Sequence, residues 1–332
     1  MKTFRIVLFF AALLLAVSAC QEQRPSSTAQ REKITIACMK NQLTSGLVIT
    51  AKNRGYFDKA GLDVTLQLHD YGKLALDSML DGKADLSMAA ETPIMINIMK
   101  GKKIAILSAV SVSSENEMVL GRKESGIRSA NDLKGKRIGV VPTTSADYQL
   151  DAILTNGGLS REDVTTINLQ PAEMPDALQN GRVDAVSIWN LPLLQMRNQL
   201  GAKGVSLSDK TLYTEFICLL TTREYAVSHP EALIKVMKAL VMAEDFIKKH
   251  SDEAMKDVAA TATVDIKLAE QIWNIYDFSV TLNQSLPIAL ADEARWAIKR
   301  KMVQSADMPD FTDYLYPDAL TAVKPAAVRI IR

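Results

Sequence analysis

Leu178-Gln179-Asn180-Gly181-Arg182-Val183-Asp184-Ala185 repeats a pattern already present at Leu80-Asp81-Gly82-Lys83-Ala84-Asp85-Leu86. The segments that precede the two stretches match as well. In the first copy an apolar run, Ile34-Thr35-Ile36-Ala37, leads into the polar turn Leu43-Thr44-Ser45-Gly46, a helical pattern, and the alternating stretch Gly61-Leu62-Asp63-Val64-Thr65. In the second, Ile138-Gly139-Val140-Val141 leads into Thr143-Thr144-Ser145, a helical pattern, Gly158-Leu159 and Val164-Thr165. Strands alternating with helices imply parallel sheets joined by crossovers. The duplication therefore predicts an α/β fold of two similar lobes, each a mostly parallel sheet flanked by helices, with a ligand cleft between them.

Working outward, Met118 to Lys123 reads as a strand leaving the first lobe. Phe216 to Thr222 is an apolar strand that returns to it. Two crossings make a two-strand hinge, and hinge closure is one way to trap a ligand. The first lobe is expected over residues 33–121 and the second over 122–215. Residues 216–332 would hold the return crossing and a mostly helical part packed on the first lobe, with helical spacing at Ala232–Lys249, Leu268–Phe278 and Ile288–Val303.

Composition narrows the class of partner. Over 332 residues, 48% hydrophobic and 23% charged content is ordinary for a globular protein. A net charge of +1 with no long basic run argues against nucleic acid, which needs a basic face. Lys2 and Arg5 precede an apolar run from Ile6 to Val17, the layout of a secretory signal over residues 1–19. Val17-Ser18-Ala19-Cys20 resembles a bacterial lipobox, which implies cleavage before Cys20 and a lipid on its sulfur. The alternative is a plain secretory signal cleaved near Ala19. Residues 20–32 are polar and read as a flexible tether. Cys38 and Cys218 lie in apolar runs, as buried thiols or a disulfide. Neither belongs to a metal-binding cluster, and no metal or other cofactor is expected.

In parallel α/β sheets ligands bind beyond the carboxyl ends of the strands. Those ends carry Lys40–Gly46, Ala89–Pro93, Pro142–Tyr148 and Ile188–Pro192. Helix N-termini there offer free N–H groups and a favourable dipole, each worth about 0.3–1 kcal/mol to an electron-rich group. Ser45, Thr92, Thr143, Thr144 and Ser145 add hydroxyls, whose alternative role is N-capping. Trp189, with Asn190 beside it, could wall the pocket or fill the lobe core. Asp85 and Asp184 sit at the opposite strand ends and read as structural. Enzyme signatures are missing. His69, His229 and His250 adjoin no nucleophile motif, and there is no Gly-x-Ser-x-Gly, His-Glu-x-x-His or phosphate loop. Asp147, Glu91 and Glu215 read by default as solvated charges.

The repeat, the lipobox, and the segment Asn53-Arg54-Gly55-Tyr56-Phe57-Asp58-Lys59-Ala60-Gly61-Leu62-Asp63-Val64 resemble the sulfonate/nitrate/taurine and thiamine-precursor family of periplasmic binding proteins. Thr221-Thr222-Arg223-Glu224-Tyr225 fits the same family, and the likeness spans about Lys33 to Met302. The resemblance implies a two-lobed periplasmic-binding-protein type II fold that closes on a small-molecule ligand. It also implies delivery to an ABC permease and its ATPase, action as a monomer, and no enzymatic activity. Family members active in pyrimidine synthesis use a cysteine-rich iron site, which this sequence lacks. Carried over position by position, the ligand contacts would be Thr44, Ser45, Glu91, Thr92, Thr144, Ser145, Trp189 and Asn190. The sequence departs from the family's Trp-Glu-Pro by placing Asn190 and Leu191 between Trp189 and Pro192. The four turns contain no arginine, and Lys40 is their one strong cation. Glu91 and Asp147 would repel a sulfonate if they pointed inward, so a thiamine-type pyrimidine stays open beside sulfonate or nitrate, and a sensory role stays open beside import.

The expected protein is thus an exported, cell-envelope lipoprotein facing the periplasm or the outer cell surface. Cys20→Ser is expected to move it from the membrane fraction to the soluble fraction, checked by fractionation and immunoblotting; unchanged membrane attachment would sink the lipid anchor.

Overall fold

The computed structural model describes residues 31–304 and 307–331, so the expected signal segment, Cys20 and all but the end of the expected tether lie outside the described residues. Ten strands build two five-stranded sheets: β1 (Glu32–Met39), β2 (Leu62–His69), β3 (Leu86–Ala90), β4 (Ile104–Ser113), β5 (Glu117–Arg122), β6 (Arg137–Val140), β7 (Thr165–Asn168), β8 (Ala185–Trp189), β9 (Gly204–Leu207) and β10 (Glu215–Thr222). One sheet has the order β2-β1-β3-β10-β4 and the other β7-β6-β8-β5-β9. The two orders are the same pattern. In each, parallel pairs (β1 with β2 and β3; β6 with β7 and β8) adjoin one antiparallel strand in the fourth place.

That fourth strand is the one that has just crossed between the lobes. β5 leaves the first lobe to pair with β8 and β9, and β10 returns to pair with β3 and β4. The crossings themselves are short, and Ser114 and Thr214 join them through their hydroxyls at 2.9 Å. The expected end of the first lobe at residue 121 therefore moves forward: Glu117–Arg122 belongs to the second sheet, because its ladder partners lie there.

The duplicated Gly-x-x-Asp turns explain themselves in the register. Asp85 Oδ2 accepts from the Thr35 N–H at 2.7 Å, and Asp184 Oδ2 accepts from the Arg137 N–H at 3.0 Å. Each carboxylate pins the entry of its strand to the neighbouring parallel strand, at the end away from the cleft. The flanking Gly82 and Gly181 have φ of 72° and 71°, a conformation that side chains with a Cβ rarely adopt.

Burial follows the sheets. One core unites the first sheet with the C-terminal helices, including the long helix Pro230–Lys249 and the helix Ser285–Lys299. The second sheet has an apolar cluster on each face, so neighbouring residues Val119 and Leu120 pack on opposite sides, as a pleated strand requires. Each fully buried side chain of this kind contributes about 1.5–3 kcal/mol. The tail is less uniformly helical than its spacing suggested. The helix Ile266–Ile272 gives way to a 3₁₀ turn at Trp273–Ile275, and Leu282–Asn283 (β11) pairs in parallel with Val328–Arg329 (β12). Trp273 and Phe278 instead pack with ring centroids 4.5 Å apart and planes tilted by 36°. Cys38 and Cys218 are free and buried. Among the described residues no helix is long and apolar enough to cross a membrane.

Candidate functional site

All four carboxyl-end turns lead into helices, which begin at Gly46, Glu91, Ser145 and Pro192. They converge on a cavity at the junction of the two lobes. Its wall includes Met39, Gln42, Tyr71, Lys73, Thr144, Ser145, Trp189 and Glu215. Tyr71 comes from the first lobe and Trp189 from the second, and their rings meet at 5.7 Å with planes tilted by 40°. The Tyr71 hydroxyl also donates to Gln170 Oε1 at 3.1 Å. On another side of the molecule Asp151 of the second lobe accepts from Trp296 Nε1 and lies 3.4 Å from Arg300 Nε. The lobes are clasped at both places.

Of the eight residues carried over as ligand contacts, Thr144, Ser145 and Trp189 line the cavity. Thr44, Ser45, Glu91, Thr92 and Asn190 lie behind its wall. Ser45 precedes its helix but does not cap it; its hydroxyl donates to the Met39 carbonyl and accepts from the Met39 N–H, closing the turn on β1. Thr144 likewise turns its hydroxyl back to the Val141 carbonyl, at 2.8 Å. The Thr44 hydroxyl donates to Gln42 Oε1 and the Asn190 amide to the Glu115 carbonyl. These bonds fix turns whose backbone is unusual. Thr143 has φ 62°, a rare value for a β-branched residue, and its N–H is held by Asp147 Oδ2 at 3.0 Å.

The three acids expected to be solvated are buried. Asp147 points away from the cleft and pairs with Arg161 at 2.8 Å, with both side chains almost inaccessible. It cannot repel a ligand, because its charge is already met. Glu91 accepts from the Phe216 N–H at 2.8 Å and from the Tyr213 hydroxyl. Glu215 Oε2 accepts from Asn116 Nδ2 at 2.8 Å, and Asn116 Oδ1 in turn accepts from the Tyr276 hydroxyl at 2.7 Å. Two further acids complete the group. Glu293 Oε1 accepts from the Thr92 hydroxyl at 2.9 Å, while Glu117 lies beside Glu215 and Ser145. Glu117 Oε1 and Glu293 Oε2 are buried without a hydrogen-bond partner.

Four carboxyls thus form one buried group behind the cleft, of which Glu215 reaches the cavity wall, and among the described residues none is ion-paired with a base. Burial disfavours their charged forms and pushes all four up. Glu91, with the nearby Glu215 adding repulsion, reaches about 7, and burial brings Glu117 to about 7. Glu215 and Glu293 rise well above the carboxylate range, from burial first and then from Glu117 and Glu91 respectively. A sequence signal for the central pair exists in retrospect. Each crossing strand opens with a glutamate followed by apolar residues, Glu117-Met118-Val119-Leu120 and Glu215-Phe216-Ile217-Cys218.

Residues 43–254 match the family described as NMT1/THI5 like. The chain belongs to the NMT1/THI5-like family. A Bacillus subtilis (strain 168) protein named for binding aliphatic sulfonates is 27% identical over 320 residues, covering 94% of this chain and 95% of its own. The taurine-binding periplasmic protein of Escherichia coli (strain K12) is 24% identical over 221 residues, covering 65% of this chain and 67% of its own. The alkanesulfonate-binding protein SsuA from Xanthomonas axonopodis pv. citri, solved with MOPS bound, superposes with a TM-score of 0.73 at 22% identity, covering 87% of this chain and 99% of that one. The fold of this NMT1/THI5-like chain is accordingly the two-lobed periplasmic-binding-protein fold.

A carboxyl raised in the native state binds its proton more tightly there than in the unfolded chain. Its stability contribution is complete below the unfolded value and is lost as pH rises through the folded one. The melting temperature of the ligand-free protein is expected to fall by several degrees between about pH 5 and pH 8, with a flatter profile in Glu117→Gln; calorimetry showing the same profile in both would contradict the assignment.

Proposed function

We propose that this protein is an exported, lipid-anchored solute-binding protein that captures a small molecule between its lobes and delivers it to an ABC importer. The observation that carries this reading is the cavity at the lobe junction. It is walled from both lobes by Tyr71 and Trp189 and reached by Glu215 at the start of the returning strand. Family membership supports capture, as do the sulfonate- and taurine-binding names of the relatives. The lipobox at Cys20 supports tethering to the envelope beside a permease and its ATPase. Relatives named as binding proteins support a role in binding rather than turnover. Within the cleft, Thr144, Ser145 and Trp189 make direct contacts. Thr44, Ser45, Glu91, Thr92 and Asn190 shape the turns and floor that position them.

Binding here is closure. The crossing strands keep both sheets intact, so the lobes turn about residues 114–116 and 208–214 while their cores stay rigid. A ligand that touches both walls stabilises the closed form by its differential affinity for it.

Native mass spectrometry of protein purified without denaturation is expected to show one bound small molecule per chain. Trp189→Ala is expected to keep its fold by circular dichroism and to lose that ligand at least tenfold more readily. A folded protein that carries nothing and stays silent across a broad ligand screen would contradict capture; a Trp189→Ala protein of normal affinity would return Trp189 to the lobe core.

A further inference from the structure

We propose that the solute is a small organic monocation, a protonated amine, amidine or guanidine, whose N–H groups complete the Glu117–Glu215 pair at the cavity floor. This inference rests on reading the cleft as a solute site and names the chemistry that site selects.

Four observations converge. Glu215 lines the cavity although it is only 3% exposed, and it is held there by Asn116, itself oriented by Tyr276. A carboxyl steered toward a cavity by two successive hydrogen bonds is a placed group rather than a stray one. Glu117, also 3% exposed, sits against Glu215 just behind the cavity wall and keeps Oε1 buried with no hydrogen-bond partner. A buried acceptor left unmet is costly, and a donor that reaches past Glu215 would meet it. Both floor carboxyls can only gain from N–H donors carrying positive charge.

Among the described residues no cation competes for the pair. Elsewhere in the second lobe the same chain buries an acid correctly, with Arg161 on Asp147, so the unpaired glutamates are not a general habit of this fold. The groups facing the pair are Glu91 and Glu293 from their helices, Ser145 from the facing helix, Tyr213 and Tyr276, and Cys218 on β10. None carries positive charge. Lys73 is the one base on the cavity wall, and its ammonium lies 3.2 Å from Asp77 on the outer turn of its own helix. A sulfonate placed on this floor would meet two carboxyls and no arginine.

The upper wall fits a cation too. Tyr71 and Trp189 both line the cavity, and aromatic rings attract ammonium and guanidinium groups. A metal ion is not the cation in question, since among the described residues no three His, Cys, Asp or Glu side chains converge well enough to hold one.

Isothermal titration of the purified protein tests this with guanidine, propylamine and benzamidine against methanesulfonate, taurine and nitrate, at pH 5.5 and pH 8.0. At least one monocation is expected to bind, at least tenfold more tightly at the higher pH, where the floor carboxyls lose protons. Glu117→Gln is expected to lower that affinity at least tenfold and to remove its pH dependence. If Glu117→Gln does not fold, the wild-type choice between the two probe sets and its pH dependence decide the matter alone. Methanesulfonate or nitrate binding while every monocation fails would overturn the cation inference and leave solute capture standing. Silence toward both sets, from protein that carries no co-purified molecule, would overturn both.

Discussion

Each sheet of this protein is completed by a strand that arrives from the other lobe. That constraint governs the rest. Because β5 and β10 occupy the fourth place in their sheets, neither lobe can finish its ladder without a crossing, and the two crossings must run side by side. Backbone hydrogen bonds within each lobe thereby fix where the hinge lies. The first residue of each crossing strand falls at the junction, and in both copies that residue is a glutamate. Duplication of the fold thus brings together two carboxyls that lie far apart in the chain.

Two kinds of buried acid show how the chain treats charge. Asp147 is buried with Arg161 and with the Thr143 N–H, so its charge is met on the second lobe's own side of the cleft. Removing one member of such a pair ordinarily costs about 3–5 kcal/mol, because the survivor is stranded. The floor glutamates are arranged differently. Their partners are hydroxyls, one amide, one backbone N–H and each other, and burial favours their protonated forms. The first arrangement supports a strained turn that shapes the cleft. The second leaves an electrically unfinished surface beside the cavity.

Much of the fold was legible because it rests on local pattern. The repeated Gly-x-x-Asp turns, the alternating strand at Leu62–Leu68 and the hydroxyl-rich turns all report their neighbours within a few residues. Thr144, Ser145 and Trp189 could be placed at the cavity because strand ends alone put them there. What was not legible depends on register with distant strands. Glu215 reads as a surface charge until its strand is known to lie between β3 and β4, beside the junction. Tyr71 reaches the cavity only because the second lobe's apolar cluster receives its ring. The hydroxyls of Ser45 and Thr144 have two local uses, capping the helix or bracing the strand before it, and sequence does not separate them. The stretch Leu268–Phe278 kept helical spacing although its aromatic residues pack better after the helix ends.

The cleft is therefore best understood as an acidic floor beneath an aromatic wall, built on a scaffold some of whose relatives are named for sulfonates. Its central claim is that the floor carboxyls are protonated where ordinary carboxyls are not. Infrared spectroscopy of the ligand-free protein at neutral pH tests this directly. The account predicts a carbonyl-stretching band of protonated carboxylic acid that weakens in Glu215→Gln; a spectrum at neutral pH with ionised carboxylates alone would contradict it.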